Sequence, residues 1–360
     1  MGRQSSRGRI VRHIALWGTG LLAFGVAGAI ICGIINTLSE IMFTLNLIGM
    51  LALAATFLPV PETANARAIR GIITGVQNML RRTPASAELL RANNVSRWVS
   101  RVSVCTAVML AVGVNSMPTI TSFFISRRSV FPRLPLPIWP PPCSPDSDWC
   151  EISLLVFECS LVTTISLVYA CFTTIHVSLI VYLAELLRVP AVKLHSTLQA
   201  ASELGTFDAH LDREINSTIA YHHDVIRLLD HYNECFAGTM FTRHLLTLLF
   251  ISASALLFMT DPSNLQAFSI VVFTLVSMGL FAYLGEQVNV ANDDMHTAVY
   301  TSGWENMPTH LRLKLCLILC RANRPIGVRG TFIGFVTFPS FLQLVRSSYT
   351  VLQFLFQMQF

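Results

Sequence analysis

Seven stretches of this chain are long and apolar enough to cross a lipid bilayer, and no other feature constrains the fold as strongly. A hydrocarbon core of ~30 Å takes about 20 residues of helix. The stretches lie near 14–35, 41–60, 102–125, 152–184, 243–260, 265–284 and 332–357. The sixth, which opens LQAFSIVVF, carries no charge, whereas Asn115 and Pro118 interrupt the third. The fourth exceeds one crossing and is expected to continue as helix beyond the lipid. Only 12% of the 360 residues are charged, half the ~25% of soluble domains. Within lipid every backbone polar group must be satisfied inside the protein, which leaves helices or closed barrels. Segments of this length specify an all-α, seven-transmembrane fold.

Orientation follows from Lys and Arg, which favour the cytosolic side. With the N-terminus cytosolic, the inner segments hold 21 basic residues and the outer ones only Arg127, Arg128 and Arg133. Residues 1–13 then form a cytosolic tail. The apolar run after Arg3, Arg7, Arg9 and Arg12 is longer than the ~7–15 residues of a signal-peptide core, so it is expected to stay as the first span. The triplets Asn94-Val95-Ser96 and Asn216-Ser217-Thr218 fall on the cytosolic side, where no sugar is added. A cytosolic N-terminus is the reverse of a G-protein-coupled receptor. No inverted repeat of the kind common in transporters is visible. The arginines sit between apolar stretches rather than along one basic stripe, so nucleic acid is not the expected partner.

The cytosolic segments, about 61–101, 185–242 and 285–331, are expected to be helical. Ile215, Ile219, His222, Ile226, Leu229 and Tyr232 recur at helical spacing, with Asp224, Arg227 and Asp230 off that face. Leu311, Leu315, Ile318 and Leu319 line one side of a second amphipathic stretch before Pro325. These faces need partners, within one chain or between subunits. Outside, the proline-rich run within 127–151 cannot be helix. Cys143 and Cys150 bracket its end and are candidates for a disulfide, in a compartment that permits one.

Catalytic patterns are absent from the sequence: no phosphate-cradling glycine loop, no HExxH and no cysteine pairs at zinc spacing. Neither an enzyme nor a cofactor is expected. His222, His223, Asp224 and His231 form the one dense cluster of metal-type ligands, and a hydrogen-bonded helix face is the better reading of it.

The C-terminal region carries a motif. Tyr300 and Trp304 precede Pro308, a basic leucine-rich stretch from Arg312 to Arg321, Arg324-Pro325, and a last segment with Phe341 and Ser347-Ser348-Tyr349. Upstream, a His-rich stretch ends in Asn233-Glu234-Cys235-Phe236. Together these resemble the signature of the insect odorant receptors. The chain departs from that pattern at Arg329-Gly330-Thr331 and Ile333-Gly334-Phe335, so the approach to the last span is expected to differ. The related gustatory receptors are the alternative, but Trp304 and its context favour the odorant branch.

The resemblance implies a plasma-membrane subunit in olfactory neuron dendrites, its cytosolic helices forming a shared cytosolic helical anchor domain. It implies a ligand-gated, non-selective cation channel, a tetramer shared with a co-receptor subunit and surrounded by membrane lipid, opened by a small volatile molecule. The chain lacks the long insertion of the co-receptor, so it resembles a tuning subunit. The span 332–360 would line the pore, with a stripe of Val345, Tyr349, Leu352, Phe356 and Gln359 on one face and a hydrophobic gate at Leu352 and Phe356. The same stripe could instead pack within its own subunit. The resemblance places the ligand pocket in the outer half of the bundle of spans within 14–284. Phe43, Leu47, Asn115, Thr119, Phe123, Val162, Tyr169, Phe268 and Val272 are candidates, each also explicable as plain helix packing. Glu158 is a candidate acceptor for an amine or hydroxyl, or an acid that snorkels to water.

Overall fold

The computed structural model describes residues 65–83, 90–102, 104, 105, 148–205, 207–260, 262 and 265–358, with the side chains of the long helix that follows Asp148 described in continuous run from Thr173. The first two spans, nearly all of the third and most of the loop 127–151 lie outside these residues. What remains is almost entirely helical: α1 (Asn65–Arg82), α2 (90–102), α3 (Asp148–Leu204), α4 (Ala209–Thr260), α5 (Leu265–Tyr300), α6 (Thr309–Ala322) and α7 (Phe338–Met358). Three of them, over Thr173–Leu204, Ala209–Thr260 and Ala267–Tyr300, are long and apolar enough to cross a membrane.

The fourth span does continue as helix: α3 runs 57 residues straight through Pro190. It also begins at Asp148, a few residues ahead of 152. The segment 185–242 is not one helix. Gly205 takes a left-handed φ of 61°, which ends α3 as glycine commonly ends helices. Asp208 then starts α4, its Oδ1 accepting from the backbone N–H groups of His210 at 3.1 Å and Leu211 at 3.0 Å. Those bonds hold its carboxyl below the usual range. From there α4 runs unbroken into the fifth span. With links this short, α3, α4 and α5 form successive helical hairpins, and α3 and α5 share the broadest contact.

Two apolar cores hold the bundle. One joins the far ends of α3 and α5 to the start of α4 and to α6 through Leu198, Ile215, Val299, Leu311 and Leu315. The other joins α1 and α2 to α3, α4 and α5 through Ile72, Leu187, Leu229, Tyr232 and Val288. The inward face expected on α4 is the buried one: Ile215, His222, Ile226, Leu229 and Tyr232 are all buried. So are Leu311, Leu315 and Ile318 on α6. Trp304, in a 3₁₀ turn, packs on the first of these cores.

Ion pairs close the seams around them. Arg188 bonds Glu185 at 2.9 Å, Gln287 at 2.8 Å and Asp294 at 3.3 Å. Lys193 pairs with Glu214 and Lys314 with Asp212. Each lysine's hydrogen bond holds its partner carboxyl below the ordinary range. The histidine cluster diverges. His222 points into the core, where burial pushes its imidazole down to about 4 with help from the Arg321 charge. His223 lies against Arg227 and His231 against Glu234, while Asp224 faces Arg82.

Candidate functional site

The segment 322–337, between α6 and α7, positions the last helix, and it is pinned from both sides by buried asparagines. Asn233 on α4 donates through Nδ2 to the Gly327 carbonyl and accepts at Oδ1 from the Arg329 N–H, each at 2.9 Å. Asn292 on α5 donates to the Ala322 carbonyl at 2.6 Å. A segment without regular structure leaves backbone groups unpaired, and buried ones must find partners. A neutral amide with one donor arm and one acceptor arm suits that task. Asn233 opens the Asn-Glu-x-Phe motif, whose Phe236 lies 4.2 Å from the ring of His176 and 4.9 Å from that of Tyr232.

Beyond the clamp the chain forms a small hairpin, β1 (Arg329–Gly330) against β2 (Gly334–Phe335), with Arg329 opposite Phe335. Its tip holds Phe332 at a left-handed φ of 65°, rare for an aromatic residue. Thr331 N–H donates to the Ala237 carbonyl at 3.0 Å, which ties the tip to α4. The hairpin corrects the expected start of the last span: α7 begins at Phe338, not at 332. Thr337 and Ser340 cap it reciprocally. The Thr337 N–H donates to Ser340 Oγ at 2.9 Å, and Ser340 Oγ donates to the Thr337 carbonyl at 2.7 Å. Pro339, in the first turn, removes no helical bond.

Gly285 on α5 lets the root of α7 approach. A side-chain carbon there would overlap the Val336 carbonyl. Further along, Leu344 and Ser348 are the buried positions of α7. Ser252 Oγ on α4 donates to the Ser348 carbonyl at 2.9 Å, and the Phe341 ring lies over Gly279 of α5. These contacts occupy one side of α7. The opposite side carries Gln343, Arg346, Thr350, Gln353 and Gln357, all exposed, at a spacing that makes one polar strip.

The stripe expected to line a pore runs between these two sides. Val345 and Leu352 are half-buried, Tyr349 is 60% exposed and Phe356 is 37% exposed. Gln359 lies outside the described residues. The stripe is therefore neither sealed inside its own chain nor fully free. Among the pocket candidates, Phe268 and Val272 share a face of α5 and are exposed, with Phe268 5.4 Å from the Phe258 ring of α4. Glu158, Val162 and Tyr169 recur along α3 at a spacing that places them on one face. Cys150 falls in the first turn of α3. Phe43, Leu47, Asn115, Thr119, Phe123 and Cys143 lie outside the described residues.

Sequence reasoning overlooked Asn292, Gly285 and Ser252. The signal at Gly285 was a glycine inside a long helix, which costs ~1 kcal/mol against alanine and usually has a packing reason. Asn292 offered only an uncharged amide beside Asp293 and Asp294.

Comparison with known proteins agrees with the fold. Residues 63–349 match the family model described as 7tm Odorant receptor. Odorant receptor 65a of Drosophila melanogaster is 23% identical over 184 residues, which is 50% of this chain and 43% of that relative. The chain thus aligns with less than half of that relative's length. The solved structure of the olfactory receptor OR5 from Machilis hrabei superposes with a TM-score of 0.77 at 16% identity, covering 99% of this chain and 92% of the other. The same receptor in complex with eugenol gives 0.76 at 15% identity, over 99% and 92%.

Proposed function

The chain belongs to the insect odorant receptor family, and on that premise we propose that it is the ligand-binding subunit of an odorant-gated cation channel in which α7 lines the pore. The family is one of membrane receptors, not enzymes. The structural relative bound to eugenol supports a small volatile as the ligand of this chain. The proposed pocket lies in the outer half, among Phe43, Leu47, Asn115, Thr119, Phe123, Glu158, Val162, Tyr169, Phe268 and Val272. Such a pocket gains affinity chiefly from apolar burial. The subunit sits in the plasma membrane of the olfactory dendrite with its N-terminus inside, paired in a tetramer with a co-receptor subunit. Residues 61–101, 185–242 and 285–331 form the cytosolic anchor.

One observation carries the pore assignment: the side of α7 turned away from α4 and α5 bears a polar strip along its length, flanked by exposed Leu342 and Phe354. Its 21 residues give ~32 Å of helix, enough to span the hydrocarbon core. Polar side chains at that depth face protein or water rather than lipid. Between that strip and the packed side run Val345, Tyr349, Leu352 and Phe356. Repeated around an axis by several subunits, they form a narrow apolar ring that blocks hydrated ions by dewetting. Odorant opens the ring only to the extent that it binds the open state more tightly.

Whole-cell current recording tests this reading, with the chain expressed alone and with a co-receptor, across a panel of volatiles. Leu352→Ala and Phe356→Ala each widen the ring and are expected to raise leak or alter permeability. If surface-expressed variants conduct like the parent, α7 does not form the gate.

A further inference from the structure

A cavity of about 320 Å³ opens between α4, the end of α6 and the clamped segment, and its lining is strongly unbalanced in charge. Arg321, Arg324 and Arg329 contribute three guanidinium groups, against the single carboxylate of Asp230. Other cations of this bundle, Arg188, Lys193 and Lys314, are paired against carboxylates: Arg188 with Glu185 and Asp294, Lys193 with Glu214, Lys314 with Asp212. Among the described residues no carboxylate lies within ion-pairing distance of the three arginines that line the cavity. Like charges gathered in one concavity repel one another, and an anion that fills it relieves the repulsion.

The cavity is also organised in advance. Arg329 lies over the Phe335 ring, 4.8 Å from its centroid, so its planar group is held at the wall with its N–H edges open. Arg321 is half-buried on the last turn of α6. The wall that joins them is fixed by the two hydrogen bonds made with Asn233, which donates to the Gly327 carbonyl and accepts from the Arg329 N–H. Forked guanidinium donors match phosphate oxygens in pairs, which a point-charge ammonium does not. The volume lies at the lower end of the range for small-ligand pockets.

We propose that this cavity is a binding site for a ligand carrying several phosphate groups, held by Arg321, Arg324 and Arg329. Two sources offer that chemistry, a free inositol polyphosphate and a phosphoinositide headgroup of the inner leaflet. Asn233 lies ten residues along α4 from Arg243, where the fifth span begins on the topology read above. At 1.5 Å per residue the cavity is ~15 Å from the hydrocarbon edge, deeper than the ~5–8 Å of the headgroup layer. That depth favours the free polyphosphate.

The test uses the full chain in lipid nanodiscs, with binding rather than current as the readout, so it stands or falls separately from the pore assignment. Inositol hexakisphosphate is titrated onto nanodiscs of neutral lipid. In a second arm, nanodiscs containing phosphatidylinositol 4,5-bisphosphate are compared with nanodiscs of equal charge made with phosphatidylserine, by thermal stabilisation. The parent is expected to bind inositol hexakisphosphate saturably. Arg321→Gln/Arg324→Gln is expected to weaken binding by about tenfold or more, while Arg81→Gln/Arg312→Gln, an equal loss of charge on exposed sites, leaves it unchanged. Stabilisation by the phosphoinositide alone, lost in the same double variant, supports the site with the lipid as its source. The single change Arg324→Gln, at an exposed side chain, serves if the double variant does not fold. Binding that is absent in both arms, or equally affected by the control pair, overturns the proposal.

Discussion

Helices α6 and α7 are near neighbours in sequence, separated by one clamped segment and a hairpin, yet they are held in opposite ways. α6 buries Leu311, Leu315, Ile318 and Ala322 in a core shared with α3, α4 and α5, and Lys314 fastens its flank to Asp212. Along its described length α7 buries only Leu344 and Ser348 and turns a full polar strip outward. A helix sunk in a core on one side and salted to a neighbour on another has one position. A helix held by a narrow strip and a capped root can be shifted by what touches its free side. On the reading proposed here, that contrast divides anchor from gate. The segment clamped by Asn233 and Asn292 is the boundary between them.

The largest effect is expected at the root of α7. Gly285→Ala drives a methyl into the Val336 carbonyl, which belongs to backbone already fixed by the Val336 N–H bond to Val328. Overpacking costs ~1–3 kcal/mol where side chains can shift, and more where backbone must. Surface expression should fall sharply, and hydrogen exchange in the surviving protein should rise over 328–341 but not over α6. Equal loosening of both helices would break the contrast. Leu315→Ala empties a fully buried site in the α6 core and should cost ~2–5 kcal/mol of stability. Leu317→Ala, at a 70% exposed position on the same helix, should stay within about 0.5 kcal/mol; thermal unfolding of the pair measures the difference.

Asn233→Ala strands a buried carbonyl and an N–H, each at ~1–3 kcal/mol when left unpaired. Hydrogen exchange at Arg329 should quicken in that variant while the exchange of α6 holds. Ser252→Ala removes one bond to α7 and should cost ~0.5–1.5 kcal/mol, seen as a small fall in melting temperature. If Ser252→Ala proves as damaging as Leu315→Ala, α7 is far more tightly held than its burial implies.

Much of this was legible in one dimension. The inward face of α4 and that of α6 followed from spacing, because a helix repeats its environment every three or four residues and the two apolar cores enforce it. The family signature was readable for the same reason: Trp304 fills a core and Asn233 satisfies backbone, and each such task admits few residue types. The hairpin was not foreseen as a hairpin, although Gly330 and Gly334 marked the departure. Its two-residue strands are too short to show an alternation. The stripe on α7 was found as a repeat, but the same repeat would appear whether it faced a pore or a neighbouring helix.

Length and hydropathy by themselves determined that the chain is a helical membrane protein, because the bilayer sets how much apolar helix a crossing needs. Basic residues suggested its orientation, and amphipathic spacing determined which sides of α4 and α6 turn inward. Only the tertiary structure decided which side of α7 is held, why Gly285 must lack a side chain, and that Arg321, Arg324 and Arg329 line one cavity against α4. Those facts depend on which backbone meets which across long stretches of intervening chain, and no local pattern of spacing encodes such a meeting.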